Sequence, residues 1–413
     1  MRVRAIVTGL IVGASALIGV PVPAAAAPVA YADAVVTPND PGYRQQWGLA
    51  RTRTNEAWTV VRGNARVTVA VVDTGVSRVP DLAGRLLPGR DFVNNDNDAS
   101  DDNGHGTMAA GVIAAAGNDR TGVAGVCWTC KILPVKVLDA KGGGGYDRIA
   151  AGIRYAADQH ATIISLSLGG SDDSPLLRDA VSYAVAKGSL VIAAAGNRGT
   201  STPHYPAALP DVIAVGGVTA TGARYRWSNY GSWVDVTGPG CNLAQTRSGA
   251  VGDYCGTSSA TPFVAGVAAL LASTDPAPSV AEIRTALIAT RVRSSGLVNV
   301  LSALRALPYA GDTTAPKLVM GATTAVARKR VQVSALAADQ HGVAAVRLYV
   351  GGRLIATDTT APYSLFWPTP ARAGLVILEL RAYDRSGNVT SVRRTVRVDR
   401  AGNVRTVNGK LGR

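Results

Sequence analysis

Histidine and membrane-length apolar runs are both scarce in this 413-residue chain, and each scarcity narrows what the protein can do. There are four histidines, so few side chains can act as a general base near neutral pH. Beyond the N-terminal apolar run, no stretch reaches the length of a membrane-spanning helix without a polar residue. With 47% hydrophobic and 17% charged residues, the composition excludes a disordered chain and predicts a folded core.

Cysteine is also rare, at four residues, which allows three different disulfide pairings. Proximity in the sequence favours Cys127 with Cys130 and Cys241 with Cys255. A Cys-x-x-Cys segment can instead bind zinc, but the spacing of the second pair is unlike that of a second zinc-ligand pair. We therefore expect two disulfides, of which the one that closes the longer loop contributes on the order of 3 kcal/mol.

The N-terminus has the features of a secretory signal peptide over residues 1–32. Two arginines lie within the first four residues, an apolar run follows over Ala5–Val20, and prolines then interrupt it. Ala-x-Ala cleavage patterns occur at Ala24–Ala26 and at Ala30–Ala32. A membrane anchor is the alternative, but the run is short for one. We expect a secreted, extracellular protein in which disulfides are permitted.

The net charge of +14 is concentrated in the C-terminal part of the chain. Residues 308–413 contain 16 Lys and Arg but six Asp and Glu. This excess therefore says little about the chemistry of the first part, and it favours an anionic partner for the second. No nucleic-acid-binding motif accompanies the charge, so we expect no nucleic-acid partner.

The first part of the chain alternates between two kinds of apolar pattern. Five near-continuous apolar runs read as buried parallel strands, at 66–73, 130–138, 161–170, 189–197 and 211–218. Three segments between them have helical periodicity, at 105–116, 146–159 and 175–188. This order predicts an α/β fold with a doubly wound, mostly parallel sheet and helices on both faces. Ligands of such sheets bind at the carboxyl ends of the strands.

The pattern changes to β-structure after a linker rich in Pro, Gly and Thr. A Gly-Gly pair between two strand-like runs predicts a hairpin, and six or seven short strands predict a small all-β sandwich. We expect the first domain at 33–307, the linker at 308–316, the sandwich at 317–399 and a flexible basic tail at 400–413.

Residues 255–266, CGTSSATPFVAG, place Ser258 and Ser259 at the start of an apolar helix. A nucleophilic serine needs a general base nearby. Among the histidines, His105 is the best candidate, because glycines flank it at the head of a predicted helix. His341 lies in the β-domain, His160 at a solvated helix end, and His204 in a Pro-rich loop without a neighbouring carboxylate.

Two further polar residues end predicted strands. Asp73 closes the run VTVAVVD and can orient the base, although a turn residue at a strand end is the plainer reading. Asn197 closes AAAGN and can donate to an oxyanion, although Gly-Asn is also a common turn. The Gly-x-Ser-x-Gly elbow of α/β-hydrolases is not met around Ser258.

Four motifs in one order, VVDTGV, NGHGTMAAGV, AAAGN and GTSSATPFVAGVAALL, resemble the subtilisin-type serine proteases, or subtilases, and within them the thermitase-like branch. The likeness covers about residues 38–305. It implies a serine endopeptidase in which Asp73 orients His105, His105 is the base, Ser258 is the nucleophile, and Asn197 donates to the oxyanion. The family pattern thus selects Ser258 over Ser259.

The resemblance also implies where a peptide substrate binds. The strand Ser167, Leu168 and Gly169 would pair with it, and Gly142, Gly143 and Gly144 would face it from the other side. Ala194 and Gly196 would help to wall the S1 pocket. Because these residues are small, we predict a roomy pocket, a preference for large apolar P1 residues and broad specificity.

Structural Ca²⁺ is the cofactor that the resemblance implies, since clustered oxygen ligands suit this ion. Carboxylates and backbone groups of one loop region would form a first site, from Asp40, Asp81, Asp119, Ala116, Thr121 and Val123. A second acidic loop would form another, from Asp91, Asp96 and Asp98, although a solvated loop explains it nearly as well.

Three features depart from the family. We expect no folded propeptide between the predicted cleavage point and residue 37. Met108 stands where relatives commonly have His, and Ser259 where many have Met.

The C-terminal domain resembles bacterial immunoglobulin-like modules through DTTAP and AYDRSGNVT. It would be a stabilising appendage, or a tether to anionic cell-wall polymer or to acidic substrates. We expect a monomer that acts on proteins or peptides, while a non-enzymatic binding protein and a membrane-anchored processing protease are the alternatives.

Overall fold

The computed structural model describes residues 35–274, 277–307, 314–326, 330–339, 342–368, 373–384, 388–399 and 403–407. The predicted signal peptide lies outside the described residues, as do His341 and most of the predicted linker and tail.

A seven-stranded parallel sheet forms the centre of the N-terminal domain, in the order β2-β3-β1-β4-β5-β6-β7. The five strands predicted from apolar runs are all present within this sheet. The bounds are β1 Thr68–Asp73, β2 Arg90–Asp91, β3 Lys131–Lys136, β4 Ile163–Leu166, β5 Leu190–Ala194, β6 Val212–Val218 and β7 Val236–Pro239. The predicted doubly wound fold is therefore confirmed, and β1 lies near its middle with its carboxyl end at the ligand-binding edge.

Helices cover both faces of this sheet. The bounds are α1 Trp47–Arg51, α2 Thr54–Ala57, α3 His105–Ala114, α4 Tyr146–Asp158, α5 Pro175–Ala186, α6 Thr257–Ala272, α7 Val280–Thr290 and α8 Val300–Arg305. Helices α3, α6 and α7 share one apolar core, while α4 and α5 share the core on the opposite face. Helix α6 is buried along nearly its whole length, as its almost continuous apolar sequence predicts.

A two-stranded hairpin precedes α6 and leads directly into it. Its strands are β8 Cys241–Gln245 and β9 Val251–Cys255. Cys241 pairs with Cys255 in the register, and these two residues also form a disulfide. A second disulfide joins Cys127 and Cys130. Both pairings are the ones that sequence proximity favours.

The C-terminal domain consists of two antiparallel sheets around one apolar core, in agreement with the predicted sandwich. The bounds are β10 Lys317–Val326, β11 Arg330–Ala338, β12 Val343–Val350, β13 Arg353–Asp358, β14 Tyr363–Pro368, β15 Gly374–Asp384, β16 Val389–Val398 and β17 Val404–Thr406. Gly351 and Gly352 join β12 to β13 with positive φ angles of 57° and 84°, as a two-residue hairpin turn requires.

One strand lies where the sequence predicts a flexible tail. Strand β17 pairs with β16, with Val404 opposite Val398, and Val404 packs against the sandwich core. The apolar contact of Val404 thus accompanies strand pairing in a segment whose composition is otherwise basic and polar.

Within the described part of the chain, no helix has both the length and the apolar character that crossing a membrane requires.

Candidate active site

Asp73 ends β1 at the ligand-binding edge of the sheet and is fully buried. Its Oδ1 accepts a hydrogen bond from the backbone N–H of Thr74 at 2.7 Å and lies 2.7 Å from Nδ1 of His105. Its Oδ2 is buried without a hydrogen-bond partner among the described residues. A buried carboxylate of this kind is stabilised when the facing imidazole carries a proton, which ties the charge of Asp73 to His105.

His105 is the first residue of α3. Gly104, just before it, has a φ of 116°, and a Cβ at Gly106 would lie 2.2 Å from the carbonyl oxygen of Gly75. Glycine on either side therefore lets the start of the helix approach the end of β1. Because Nδ1 faces the Asp73 carboxylate, it carries the hydrogen in the neutral ring, and Nε2 presents its lone pair.

The pKa of His105 is raised above its ordinary value by its surroundings. Burial acts to lower it, but the negative charge of Asp73, the hydrogen bond to Asp73 and the charge of Asp101 together outweigh burial. The ring therefore holds a proton more readily than a free imidazole does.

Asp101 fastens the head of α3 to the end of β1, and the sequence patterns did not single it out. Its Oδ1 accepts from the Thr74 hydroxyl at 2.9 Å and from the Gly104 N–H at 2.8 Å, and its Oδ2 accepts from the Thr107 N–H at 2.9 Å. These bonds satisfy free N–H groups of the first turn. An Asp in the turn-forming DDNG segment before a helix is the signal that could have identified it.

Ser258 is the second residue of α6, and its hydroxyl donates to the carbonyl oxygen of Ser167 at 3.2 Å. The hydroxyl of Ser167 donates in turn to the carbonyl of Ser258 at 2.9 Å. Gly256 precedes the helix with a φ of 122°. Ser259 is fully buried, and its Oγ accepts from the side-chain amide of Asn242 at 2.9 Å. The two serines thus have different surroundings, and Ser258 is the one that contacts Ser167.

Asn197 follows β5 and lies beside the start of α6. Its Oδ1 accepts from both the N–H and the hydroxyl of Thr257, each at 2.9 Å. These donors fix the orientation of the amide, so that Nδ2 is left to donate elsewhere. A Cβ at Gly256 would lie 3.2 Å from Nδ2, which places this donor next to the turn that precedes Ser258.

A cleft of about 350 Å³ joins His105 to two of the predicted substrate segments. One wall contains Gly142 and Gly144, and the other contains Ser167, Leu168 and Gly169. The third glycine of the first wall, Gly143, packs beside Asp139 and donates its N–H to that carboxylate at 2.9 Å. The fold therefore brings the two predicted substrate segments to opposite sides of His105.

His204 lies against the small residues expected to wall the S1 pocket, and the sequence assigned it no role. Its Nε2 would be 2.7 Å from a Cβ at Gly169, and its ring would be 3.0 Å from a Cβ at Gly196. The pKa of His204 is lowered by burial and by the charge of Arg198, so the ring is neutral at neutral pH. Ala194, 3% exposed, ends β5 just before Gly196. No spacing pattern in TPHYPA marks this histidine.

Tyr254 is a contact of His105 that the sequence did not predict. Its hydroxyl lies 3.2 Å from Nε2 of His105, and the two rings meet edge to face with centroids 5.3 Å apart. Tyr254 is 5% exposed and is the last residue but one of β9.

The first predicted calcium site is built around Asp81, which is fully buried. Its Oδ2 accepts from the Val123 N–H at 2.9 Å, whereas its Oδ1 has no partner among the described residues. Burial and the charges of Asp119 and Asp40 raise the pKa of Asp81 to about 6. A buried, unpartnered carboxylate oxygen near two other carboxylates fits a bound cation, which would neutralise them.

The neighbouring residues of that site form a loop around Asp81. Ala116 donates its N–H to the Asp81 carbonyl at 2.8 Å, and Thr121 donates to Oδ1 of Asp119 at 2.9 Å. Asp40 accepts from the N–H groups of Asn118 and Asp119. The described residues contain no cluster of three His, Cys, Asp or Glu side chains spaced to hold a metal, so carbonyl oxygens would have to supply part of the shell.

The second predicted site shows less sign of a cation. Asp91 accepts from the N–H groups of Val93 and Asn94 and from the Asn94 amide. Asp96 accepts from the Asp98 N–H, and Asp98 accepts from Ser100. These are local turn contacts that use the carboxylates within the loop itself.

Comparisons with known proteins agree with this geometry. Residues 64–322 match the family described as "Subtilase family", and residues 320–398 match the one described as "Bacterial Ig domain". Thermitase of Thermoactinomyces vulgaris is 46% identical over 263 residues, which are 63% of this chain and 93% of that protein. The thermophilic serine proteinase of Bacillus sp. strain AK1 is 46% identical over 267 residues, which are 64% of this chain and 66% of that protein.

A solved structure gives the same result. The structure described as a protease from Pseudoalteromonas arctica PAMC 21717 superposes with a TM-score of 0.61 at 32% identity, and the match covers 66% of this chain and 99% of that one.

Proposed function

The chain belongs to the subtilase family of serine proteases, and we propose from this premise that it is a secreted endopeptidase working through an acyl-enzyme. The observation that carries the proposal is the buried contact of 2.7 Å between Asp73 and His105, at the same sheet edge as Ser258. His105 lines a cleft together with Ser167, the residue that Ser258 contacts, and a carboxylate, an imidazole and a serine gathered in this way suit peptide-bond hydrolysis.

Acylation uses each group in one role. Nε2 of His105 takes the hydroxyl proton of Ser258 as Oγ attacks the scissile carbonyl carbon. The buried charge of Asp73 stabilises the imidazolium that results. The carbonyl oxygen becomes an oxyanion, to which the Nδ2 of Asn197 and the backbone N–H of Ser258 donate. The N-terminal end of α6 adds a positive partial charge at the same place.

Acylation ends when the tetrahedral intermediate collapses: the C–N bond breaks, and His105 gives its proton to the leaving amine. Deacylation then repeats these steps with water in place of Ser258. Nε2 then removes a proton from water, whose oxygen attacks the acyl carbon. Collapse of the second intermediate breaks the ester bond and returns the proton to Oγ of Ser258.

The neighbouring serines provide a matched test of the nucleophile. We expect Ser258→Ala to abolish both proteolysis and covalent labelling by a serine-reactive phosphonate. Ser259→Ala should keep both, because Ser259 is buried and contacts Asn242. Labelling of Ser258→Ala at the wild-type rate, or no labelling of the wild type, would refute the assignment.

The substrate proposal rests on the cleft walls. A peptide would lie between the segments 142–144 and 167–169 and pair with the latter as an added strand. A pocket walled by small residues and a neutral His204 favours large apolar P1 residues over charged ones. A cleavage profile dominated by Lys or Arg at P1 would contradict this.

We extend the proposal to one structural Ca²⁺ at Asp81. The unpartnered Oδ1 of Asp81, with Asp40 and Asp119 nearby, supports this site. The ion would hold the loop 116–123 against the rest of the domain and takes no part in the reaction steps.

An anionic cell-wall polymer is the partner that we propose for the Ig-like domain. The register places five arginines on one face of the five-stranded sheet. The acidic residue Glu379 lies on the same face and forms ion pairs with two of these arginines. The arginines are Arg347, Arg381, Arg393, Arg397 and Arg405. Such a face would attract a polyanion in a salt-dependent way.

Binding to isolated Gram-positive cell walls, with and without their anionic polymers, tests this. We expect Arg393→Ala, Arg397→Ala and Arg405→Ala together to weaken binding to intact walls. A control that replaces the exposed arginines at 66, 120 and 226 of the peptidase domain should bind as the wild type does. Equal binding to stripped walls would overturn the proposal.

A further inference from the structure

The hydroxyl of Tyr254 contacts Nε2 of His105, the nitrogen through which His105 would act as the general base. Its hydroxyl is 3.2 Å from Nε2 of His105, and Nε2 is an acceptor because Nδ1 gives its hydrogen to Asp73. Burial raises the pKa of Tyr254 well above its ordinary value, and the charge of Asp73 raises it further, while a hydrogen bond with Ser167 acts in the opposite direction. The phenol therefore keeps its proton and donates it to Nε2.

The nucleophile has a different partner in the same structure. The hydroxyl of Ser258 donates to the carbonyl oxygen of Ser167 at 3.2 Å. A base can activate a serine only when its nitrogen accepts the serine's hydrogen. In this arrangement, the base and the nucleophile are not bonded to each other: His105 is hydrogen-bonded to Tyr254, and Ser258 to Ser167.

We propose that Tyr254 is a positioning residue that locks the resting enzyme, by donating to Nε2 of His105 until substrate displaces it. The inference rests on the proposed roles of Ser258 and His105. It adds a step in which the phenol withdraws, the Ser258 hydroxyl turns from Ser167 to Nε2, and only then does acylation begin.

The leaving side of the substrate, meaning the part that departs with the amine, is the part that competes with the Tyr254 phenol. During acylation Nε2 faces the scissile nitrogen, because it delivers the proton to the departing amine. The Tyr254 hydroxyl contacts that same Nε2 nitrogen, so the two compete for it. A substrate that fills the leaving side thus releases the lock, whereas water and small nucleophiles meet a base whose lone pair is already used.

The hairpin that carries Tyr254 is anchored on both strands. Asn242 stands opposite Tyr254 in the register, and its side-chain amide donates to the buried Oγ of Ser259. The next pair, Cys241 and Cys255, is joined by a disulfide. The hairpin is hydrogen-bonded to α6 through Asn242 and Ser259, and it therefore holds Tyr254 against His105.

Labelling by a small serine-reactive phosphonate measures the lock directly, since the reagent has no leaving-side peptide. We expect Tyr254→Phe to be labelled about five- to tenfold faster than the wild type, the gain that loss of one competing hydrogen bond allows. Tyr183→Phe is the matched control, because Tyr183 also loses one phenol hydrogen bond, to Asp158 on the helical surface. It should be labelled at the wild-type rate. In steady state with a peptide amide that fills the leaving side, the gain should appear as a lower KM at unchanged kcat, because substrate binding is the step that displaces the phenol.

The outcomes separate the lock from the proposed function. If Tyr254→Phe is folded, with an unchanged melting temperature, but is labelled no faster than the wild type, the lock is refuted. If Tyr254→Phe fails to fold, Tyr254→Met keeps an apolar side chain there, and the same acceleration is expected. Absence of labelling in wild type and variants alike would overturn the role of Ser258 instead.

Discussion

The side-chain oxygen of Asn197 accepts two hydrogen bonds from Thr257, one from its backbone N–H and one from its hydroxyl, each 2.9 Å long. This double contact joins the end of β5 to the first residue of α6. It fixes the orientation of the amide and leaves Nδ2 as the end that can donate, as the proposed oxyanion role of Asn197 requires.

Asn197→Ala should lower kcat by about a hundred- to a thousandfold, the size known for loss of one oxyanion donor in serine proteases. KM should change little, because Nδ2 binds charge that develops only in the transition state. Steady-state kinetics with a chromogenic peptide measures both. Thr257→Val, which removes one of the two bonds that orient the amide, should have a smaller effect in the same direction. A rise in KM at unchanged kcat would instead make Asn197 a substrate-binding residue.

The acid limb of the pH–rate profile should lie at a higher pH than the ordinary pKa of a histidine. The pKa of His105 is raised because the charge and hydrogen bond of Asp73, with the charge of Asp101, outweigh burial. Only the unprotonated ring accepts the serine proton, so kcat/KM should rise with pH through this raised pKa. Asp73→Asn removes the charge and should move the limb to lower pH while greatly reducing the rate. Asp158→Asn, on the surface of α4, should leave the limb in place.

Sequence patterns predict those parts of the site whose positions are set by regular secondary structure. Asp73 ends β1, and Asn197 lies just beyond the end of β5. His105 is the first residue of α3 and Ser258 the second of α6, so the parallel topology brings these backbones towards one edge of the sheet. The family motifs then assign their roles. The five strands and three helices foreseen in the first domain follow from long, nearly continuous apolar patterns, which are the strongest local signal.

Residues whose position depends on tertiary contacts escaped prediction. Tyr254 reaches His105 because a disulfide-closed hairpin turns back over α3, and nothing in VGDYC indicates that approach. Asp101 acts through five donors that only the folded loop brings together. The order of β17 likewise depends on a non-local pairing with β16, which composition does not report.

Removal of Ca²⁺ should lower the melting temperature of the enzyme. An ion present at a hundred times its dissociation constant contributes about 2.7 kcal/mol, which corresponds to roughly 5–10 °C for a domain of this size. Differential scanning calorimetry with Ca²⁺ and with a chelator measures the shift. An unchanged melting temperature would refute the calcium proposal.

Asp81→Asn identifies the site. The variant should lose the dependence on Ca²⁺, because it removes the buried, unpartnered carboxylate oxygen. In chelator it should be at least as stable as the wild type, since the wild type then retains a buried charge without a counterion. Asp98→Asn, an exposed loop residue, should respond to Ca²⁺ as the wild type does. If Asp81→Asn still gained the full stabilisation from Ca²⁺, the ion would bind elsewhere.

His204 should control the depth of the S1 pocket. Its ring packs beside Gly169 and Gly196, so His204→Ala opens space between the two walls. We expect kcat/KM for P1 Trp or Tyr to rise relative to P1 Ala by about tenfold, because one additional buried ring portion is worth 1–3 kcal/mol in a hydrophobic pocket. The comparison of a P1 series on wild type and variant measures this, and His160→Ala, remote at the end of α4, is the control. Because burial and Arg198 keep the pKa of His204 low, the wild-type preference should stay constant from pH 7 upward. An unaltered P1 profile in His204→Ala would place the ring outside the pocket.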